Sequence, residues 1–191
     1  GTCACYGYEG QEVDFFEIDQ AVIDIASNPD YFTYLRDCPP KVTIFKGDGR
    51  LELAKRPKHH YGMLVMDAFT SDAVPIHTVT REALALYMER LLPKVGILAL
   101  NISNRHFDLE NVIARAGIDL GWKAYYRDYV NTSNNPFDFN SEWLLLLPPD
   151  SPWIDTLRKT RFIPFVPPAG TPLWTDDYSN ILPALKWRHR P

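Results

Sequence analysis

The chain has 191 residues, with 20 Lys or Arg against 24 Asp or Glu, so its formal net charge is −4. That length fits one domain, and a hydrophobic share of 46% is enough to build a core. The acid excess argues against a protein that grips phosphate backbones, and no apolar run approaches the roughly 20 residues that span a bilayer.

The predicted elements alternate from the start. Glu12 to Glu17 (EVDFFE) reads as a strand rich in aromatic and branched residues. Gln20 to Ala26 reads as a helix with Asp19 as its N-cap. Pro29 interrupts it, and Pro29 to Leu35 reads as a short helical turn. Lys41 to Phe45 is the next strand, closed by Gly47-Asp48-Gly49, and Arg50 to Lys55 is a short helix. Met63 to Met66 is continuously apolar, as in a strand buried on both faces. A polar segment from Asp67 to Thr78 follows.

Thr80 opens the clearest helix. Leu84, Tyr87, Met88, Leu91 and Leu92 recur at helical spacing and form one apolar face. Gly96 to Leu100 is another buried strand, and Leu109 to Leu120 a helix closed near Gly121. Lys123 to Tyr129 and Glu142 to Leu147 read as strands joined by an Asn-rich segment. A helix (Trp153 to Arg158), a proline-rich connector (Ile163 to Pro172) and a short terminal helix near Asp177 to Leu185 complete the chain. Alternating strands and helices imply a mostly parallel sheet with helices on both faces. The two late strands imply that the last one runs antiparallel.

Three cysteines, Cys3, Cys5 and Cys38, do not suggest a disulfide framework. Cys3 and Cys5 lack the partners that a zinc site needs, so no metal is expected. All three are expected as small apolar residues in a reducing cytoplasm.

Ligands of open α/β sheets sit beyond the carboxyl ends of the strands. Carboxylates recur at three such ends: Glu17 with Asp19, Asp48 within Gly47-Asp48-Gly49, and Asp67 followed by Asp72. A fourth end carries Asn101, Ser103 and Asn104, which cap the next helix or line the pocket. Taken singly, Asp19 reads as a helix cap and Asp48-Gly49 as a turn. Taken together they read as a ligand site. A carboxylate at the end of the strand after a glycine turn accepts hydrogen bonds from a ribose diol. Glu17 fits that role, with Gly1 as the remnant of the turn. Asp48 can accept from the exocyclic amine of adenine. With no phosphate loop carrying a Lys, a nucleoside fits better than ATP.

With these motifs in order, the sequence resembles the spermidine/spermine synthase family, in its bacterial spermidine synthase-like branch. The resembling stretches are Phe15 to Val22, Gly47 to Leu53, Met66 to Leu84, Asn101 to Leu109 and Trp174 to Leu182. The resemblance implies an α/β, Rossmann-like class I methyltransferase fold over residues 1–191. It implies an aminopropyltransferase that takes decarboxylated S-adenosylmethionine as co-substrate and a polyamine such as putrescine as acceptor. Glu17, Asp19, Asp48, Gly49 and Gly1 would hold the nucleoside. Asp67 would be the general base and Asp72 the second carboxylate. Phe69, His77, Asp177 and Tyr178 would line the amine pocket. Between Asp67 and Asp72 the spacing is two residues longer than in the family motif.

The resemblance also implies a homodimer, in the cytoplasm that the cysteines suggest. The family's N-terminal β-rich segment and the first strand of its nucleoside domain are not in this sequence, so upstream residues are expected. Two other readings share the nucleoside contacts: an S-adenosylmethionine-dependent methyltransferase and a non-catalytic nucleoside-binding domain.

Overall fold

The computed structural model describes residues 2–68, 75–104, 106–133, 135 and 139–186. The chain divides into two compact units, Gly1–Arg56 and Pro57–Pro191.

The first unit begins with a 3-10 turn, Thr2–Tyr6, followed by strand β1 (Glu12–Glu17) and helix α1 (Gln20–Ser27). Helix α2 (Tyr34–Asp37), strand β2 (Lys41–Lys46) and helix α3 (Gly49–Ala54) complete it. β1 and β2 pair in parallel from Glu12 opposite Lys41 to Glu17 opposite Lys46. That register sets Phe16 beside Phe45, with ring centroids 5.6 Å apart. The Arg56 guanidinium lies 4.1 Å from the Phe45 centroid, so its charge rests on a ring face.

Asp19 caps α1 by accepting from the Ala21 N–H at 2.8 Å, as its position before the apolar run predicts. The short turn expected at Pro29 to Leu35 lies later, at α2.

This unit buries little. α1 has no buried residue, and Val22, Ile25 and Leu51 are exposed. Two strands and three short helices make a marginal core on their own. A covalent staple compensates, because Cys5 and Cys38 form a disulfide across 33 residues with a Cα–Cα distance of 4.6 Å. That corrects the expectation of three free thiols. Only Cys3 among the described residues is free, and it is exposed. The spacing could not show this pairing, because it depends on the chain returning through α2 beside the first turn. Reduction is expected to destabilise the unit by roughly 3–4 kcal/mol, from the loop length alone. Amides of β1 and β2 should lose hydrogen-exchange protection with reductant. Alkylation of the native protein should label one thiol without reductant and three with it; three labelled thiols without reductant would refute the bond.

The second unit opens with β3 (Met63–Met66), a 3-10 turn at Ile76–Thr78, and α4 (Arg81–Arg90). It continues with β4 (Ile97–Asn101), α5 (Leu109–Asp119), β5 (Lys123–Tyr129) and β6 (Ser141–Leu147). α6 (Ile154–Lys159), β7 (Ile163–Phe165) and a 3-10 turn at Leu182–Ala184 end it. The strand order is β3-β4-β6-β5-β7. β3 and β4 are parallel, and β6 runs antiparallel between β4 and β5. The antiparallel late strand is therefore present, inserted rather than placed at the edge. β7 is a further antiparallel strand, on β5, formed by residues expected as connector. Its Pro164 is tolerated because an edge strand leaves one side of its backbone unpaired. The expected terminal helix is only the 3-10 turn at Leu182–Ala184.

Burial follows the pleat. Leu98, Leu100, Leu144 and Leu146 are buried, and alternation along β4 and β6 puts them on one face, toward α5. Gly117 of α5 lets that helix approach, because a Cβ there would meet Leu146 Cδ2 at 2.7 Å. On the other face Ala99, Tyr125, Leu145 and Leu147 pack with Leu157 of α6. On α4, Leu84 and Tyr87 are buried, as is the C-cap Leu91, whereas Leu92 just beyond it is exposed.

Candidate functional site

In the first unit the strand ends carry the expected carboxylates. β1 and β2 are parallel, so Glu17 and the Gly47-Asp48-Gly49 turn lie at the same end of their sheet. The Gly47 N–H donates to the Glu17 carbonyl at 2.9 Å, tying the turn to that end. Gly47 has φ +152°, and a Cβ there would meet Glu52 Oε1 at 2.7 Å. Glycine is required at this point. Asp48 is the N-cap of α3, where its Oδ1 accepts from the Leu51 N–H at 2.9 Å, and Gly49 is the first residue of that helix. Glu17 Oε1 accepts from the Asp19 N–H at 2.8 Å, which fixes the carboxylate at the mouth of the β1–α1 turn. Asp19 serves as cap, as its separate reading implies. Glu17 and Asp48 thus each present a carboxylate at this end of the sheet, and a carboxylate has two oxygens that can accept several hydrogen bonds.

In the second unit Asp67 directly follows β3 and is exposed. It accepts a hydrogen bond from Asn101 Nδ2 at 2.8 Å. Asn101 Oδ1 in turn accepts from the Ser103 hydroxyl at 2.6 Å and from the Ser103 N–H at 3.2 Å. Ser103 Oγ accepts from the Glu142 N–H at 2.9 Å. A chain of hydrogen bonds thus runs from the start of β6 to the carboxylate of Asp67.

Of the other predicted residues, Gly1, Phe69 and Asp72 lie outside the described residues. His77 is exposed within the 3-10 turn at Ile76–Thr78. Asp177 and Tyr178 are also exposed. Their motif has a structural role carried by its neighbours: Trp174 is buried, and Asp176 accepts from the Thr80 hydroxyl at 2.7 Å. Asn104 caps the turn before α5, its Oδ1 accepting from the N–H groups of His106 and Phe107 at 2.8 and 3.0 Å.

Sequence reasoning missed an acidic group on the α5 face of the sheet. Lys186 Nζ donates to the Asn104 carbonyl at 2.8 Å and lies 3.5 Å from Glu142 and 3.6 Å from Asp108. Burial pushes the Glu110 carboxyl above its usual range, and Asp108 and Glu142 add to the rise. Burial also raises the Tyr126 phenol, helped by Glu142, Asp128 and Glu110. The available signal was Glu142 itself, an acid opening an otherwise apolar strand.

On the opposite face, a cavity of about 350 Å³ is lined by Arg127, Tyr129, Ser141, Trp143 and Phe162. Arg127 stacks there, 5.8 Å from the Tyr129 ring and 5.9 Å from the Phe162 ring. A guanidinium already on those rings repels a second cation, so this aromatic wall is ill suited to a polyamine. Among the described residues, no three His, Cys, Asp or Glu side chains are grouped to hold a metal ion. No helix among them is long and apolar enough to cross a membrane.

No protein-family model and no curated protein matches the chain. Solved structures do. Spermidine synthase from Thermotoga maritima superposes with a TM-score of 0.56 at 15% identity, over 87% of this chain and 55% of that one. The chain has a spermidine synthase-like fold. A spermidine synthase in complex with the transition-state analogue AdoDATO gives a TM-score of 0.55 at 15% identity, over 87% of this chain and 54% of that one. A SAM-dependent methyltransferase from Archaeoglobus fulgidus gives 0.41 at 9% identity, over 73% and 87%. The chain spans about half the length of the spermidine synthases it matches.

Proposed function

We propose that this chain is the nucleoside-binding and catalytic part of a spermidine synthase-like aminopropyltransferase. It would move the aminopropyl group of decarboxylated S-adenosylmethionine to a polyamine such as putrescine. The observation that carries the reading is Asp67, a carboxylate just beyond β3 that is held by the hydrogen bond from Asn101, in a chain with this fold. Glu17 would bind the ribose diol and Asp48 the adenine amine, each through its carboxylate.

The chemistry asks little else of the protein. A sulfonium is already a good leaving group. The acceptor amine is mostly protonated near neutral pH and cannot attack in that state. Asp67 would bind the cation and accept a proton as the nitrogen–carbon bond forms and the carbon–sulfur bond breaks. Orientation of nitrogen, carbon and sulfur in line would supply much of the remaining acceleration. Asp72, Phe69, His77, Asp177 and Tyr178 remain proposed amine contacts. The organisation of residues 1–191 as one domain and a homodimeric state belong to the same proposal. Cytoplasmic localisation does too, although the Cys5–Cys38 disulfide weighs against it, since such bonds persist in oxidising compartments.

The test is a titration of the whole protein with 5′-methylthioadenosine, S-adenosylhomocysteine and putrescine. Binding of 5′-methylthioadenosine together with putrescine supports aminopropyl transfer. Tight S-adenosylhomocysteine binding without amine binding would point to a methyltransferase instead. Glu17→Gln should weaken nucleoside binding about 10- to 100-fold, as expected for losing charge-assisted hydrogen bonds to a diol. Unchanged affinity would remove Glu17 from the site.

A further inference from the structure

We propose that Asn101 is a positioning residue, which with Ser103 orients the carboxylate of Asp67 for proton transfer. This rests on the reading of Asp67 as the base.

The need for such a device follows from where Asp67 sits. It lies past the last residue of β3 and is exposed, so neither strand pairing nor packing selects its rotamer. A base must meet its proton with near-ideal geometry, and a displacement of about 1 Å can cost around 100-fold in rate. The Asn101 Nδ2–H that donates to Asp67 Oδ1 at 2.8 Å supplies the missing restraint. It fixes one oxygen and leaves Oδ2 for the amine.

The direction of the chain is set by the backbone. An Asn side chain could in principle present either its oxygen or its nitrogen to Asp67. Here the Ser103 N–H, which can only donate, faces Asn101 Oδ1 at 3.2 Å. The Glu142 N–H donates to Ser103 Oγ at 2.9 Å, which turns the hydroxyl hydrogen toward Asn101 Oδ1 at 2.6 Å. Two backbone donors thus force the Asn101 oxygen inward and its NH₂ toward Asp67. One comes from the start of β6 and the other from two residues past the end of β4, whose last residue Asn101 stands opposite Trp143. Asn101 and the strand-end Ser103 therefore form a rigid bracket between the sheet and the base.

The experiment combines steady-state kinetics with side-chain amide NMR on the whole protein. With decarboxylated S-adenosylmethionine and putrescine, Asn101→Ala should lower kcat about 10- to 100-fold and leave the donor KM within about twofold. Ser103→Ala should give a smaller loss in the same direction. The double variant Asn101→Ala/Asp67→Asn should be no slower than Asp67→Asn, because a positioning residue has nothing left to position. Additive losses would overturn the proposal. So would an Asn101→Ala effect confined to KM.

The NMR arm does not depend on activity. The Asn101 side-chain NH₂ resonances should shift on Asp67→Ala and on Ser103→Ala while the backbone spectrum of β4 is preserved. Resonances that stay in place on Asp67→Ala would overturn the proposal even in an active enzyme. A wild-type protein that transfers no aminopropyl group would instead count against the function. If the resonances then shift, the oriented Asp67 carboxylate stands and serves another reaction.

Discussion

Asp67→Asn is expected to cut aminopropyl transfer by about two to four orders of magnitude, the usual contribution of a positioned general base. The substitution is close to isosteric. The new amide oxygen can still accept from Asn101 Nδ2, which reaches Asp67 Oδ1 at 2.8 Å, so the bracket from β4 should survive. What is lost is the negative charge and the capacity to take a proton from the amine. Binding of 5′-methylthioadenosine should be unchanged, because the proposed nucleoside contacts are Glu17 and Asp48 and the substitution touches neither. The assay is product formation from decarboxylated S-adenosylmethionine and putrescine, with nucleoside affinity measured alongside. Turnover within tenfold of wild type would refute the base assignment. A parallel collapse in nucleoside affinity would mean that the substitution had disturbed more than the base.

The strands and most helices were legible because their signals are local. β1 reads directly from a run of aromatic and branched residues, and α4 from apolar spacing with Thr80 as its cap; the structure has both where expected. The carboxylates Glu17, Asp48 and Asp67 were legible for the same reason, since Glu17 ends its strand and the other two follow theirs within two residues. Features that depend on non-local approach were not. The Cys5–Cys38 bond joins residues 33 apart. β7 exists because Ala124, Tyr125 and Tyr126 offer a free strand edge to Ile163–Phe165, which lacks a strong strand signal of its own. The Asn101 bracket was half visible. Asn101 and Ser103 stood out as polar residues after a buried strand, yet their direction toward Asp67 is set by Glu142, 39 residues beyond Ser103.

The tail motif Trp174 to Leu182 makes the same point about roles, and Trp174→Ala tests it. Among the described residues Trp174 is the largest fully buried side chain, and its indole N–H donates to the Asn180 carbonyl at 3.1 Å. Its own carbonyl accepts from the Arg81 N–H at 2.8 Å. Next to it, the Asp176 N–H donates to Glu82 Oε2 at 2.9 Å and its carboxylate accepts from Thr80 at 2.7 Å. The indole therefore anchors a strap across the first turn of α4, and several hydrogen bonds depend on it. Truncation should cost about 3–5 kcal/mol through the cavity it leaves. The loss should appear as a lower urea midpoint by far-ultraviolet circular dichroism. Tyr178 is 59% exposed on the same strap. Tyr178→Ala should leave stability within about 0.5 kcal/mol and, if the ring touches the acceptor, raise the putrescine KM alone. A Trp174→Ala loss below about 1 kcal/mol would show that the strap holds without its anchor. The motif would then have to be explained by ligand contact.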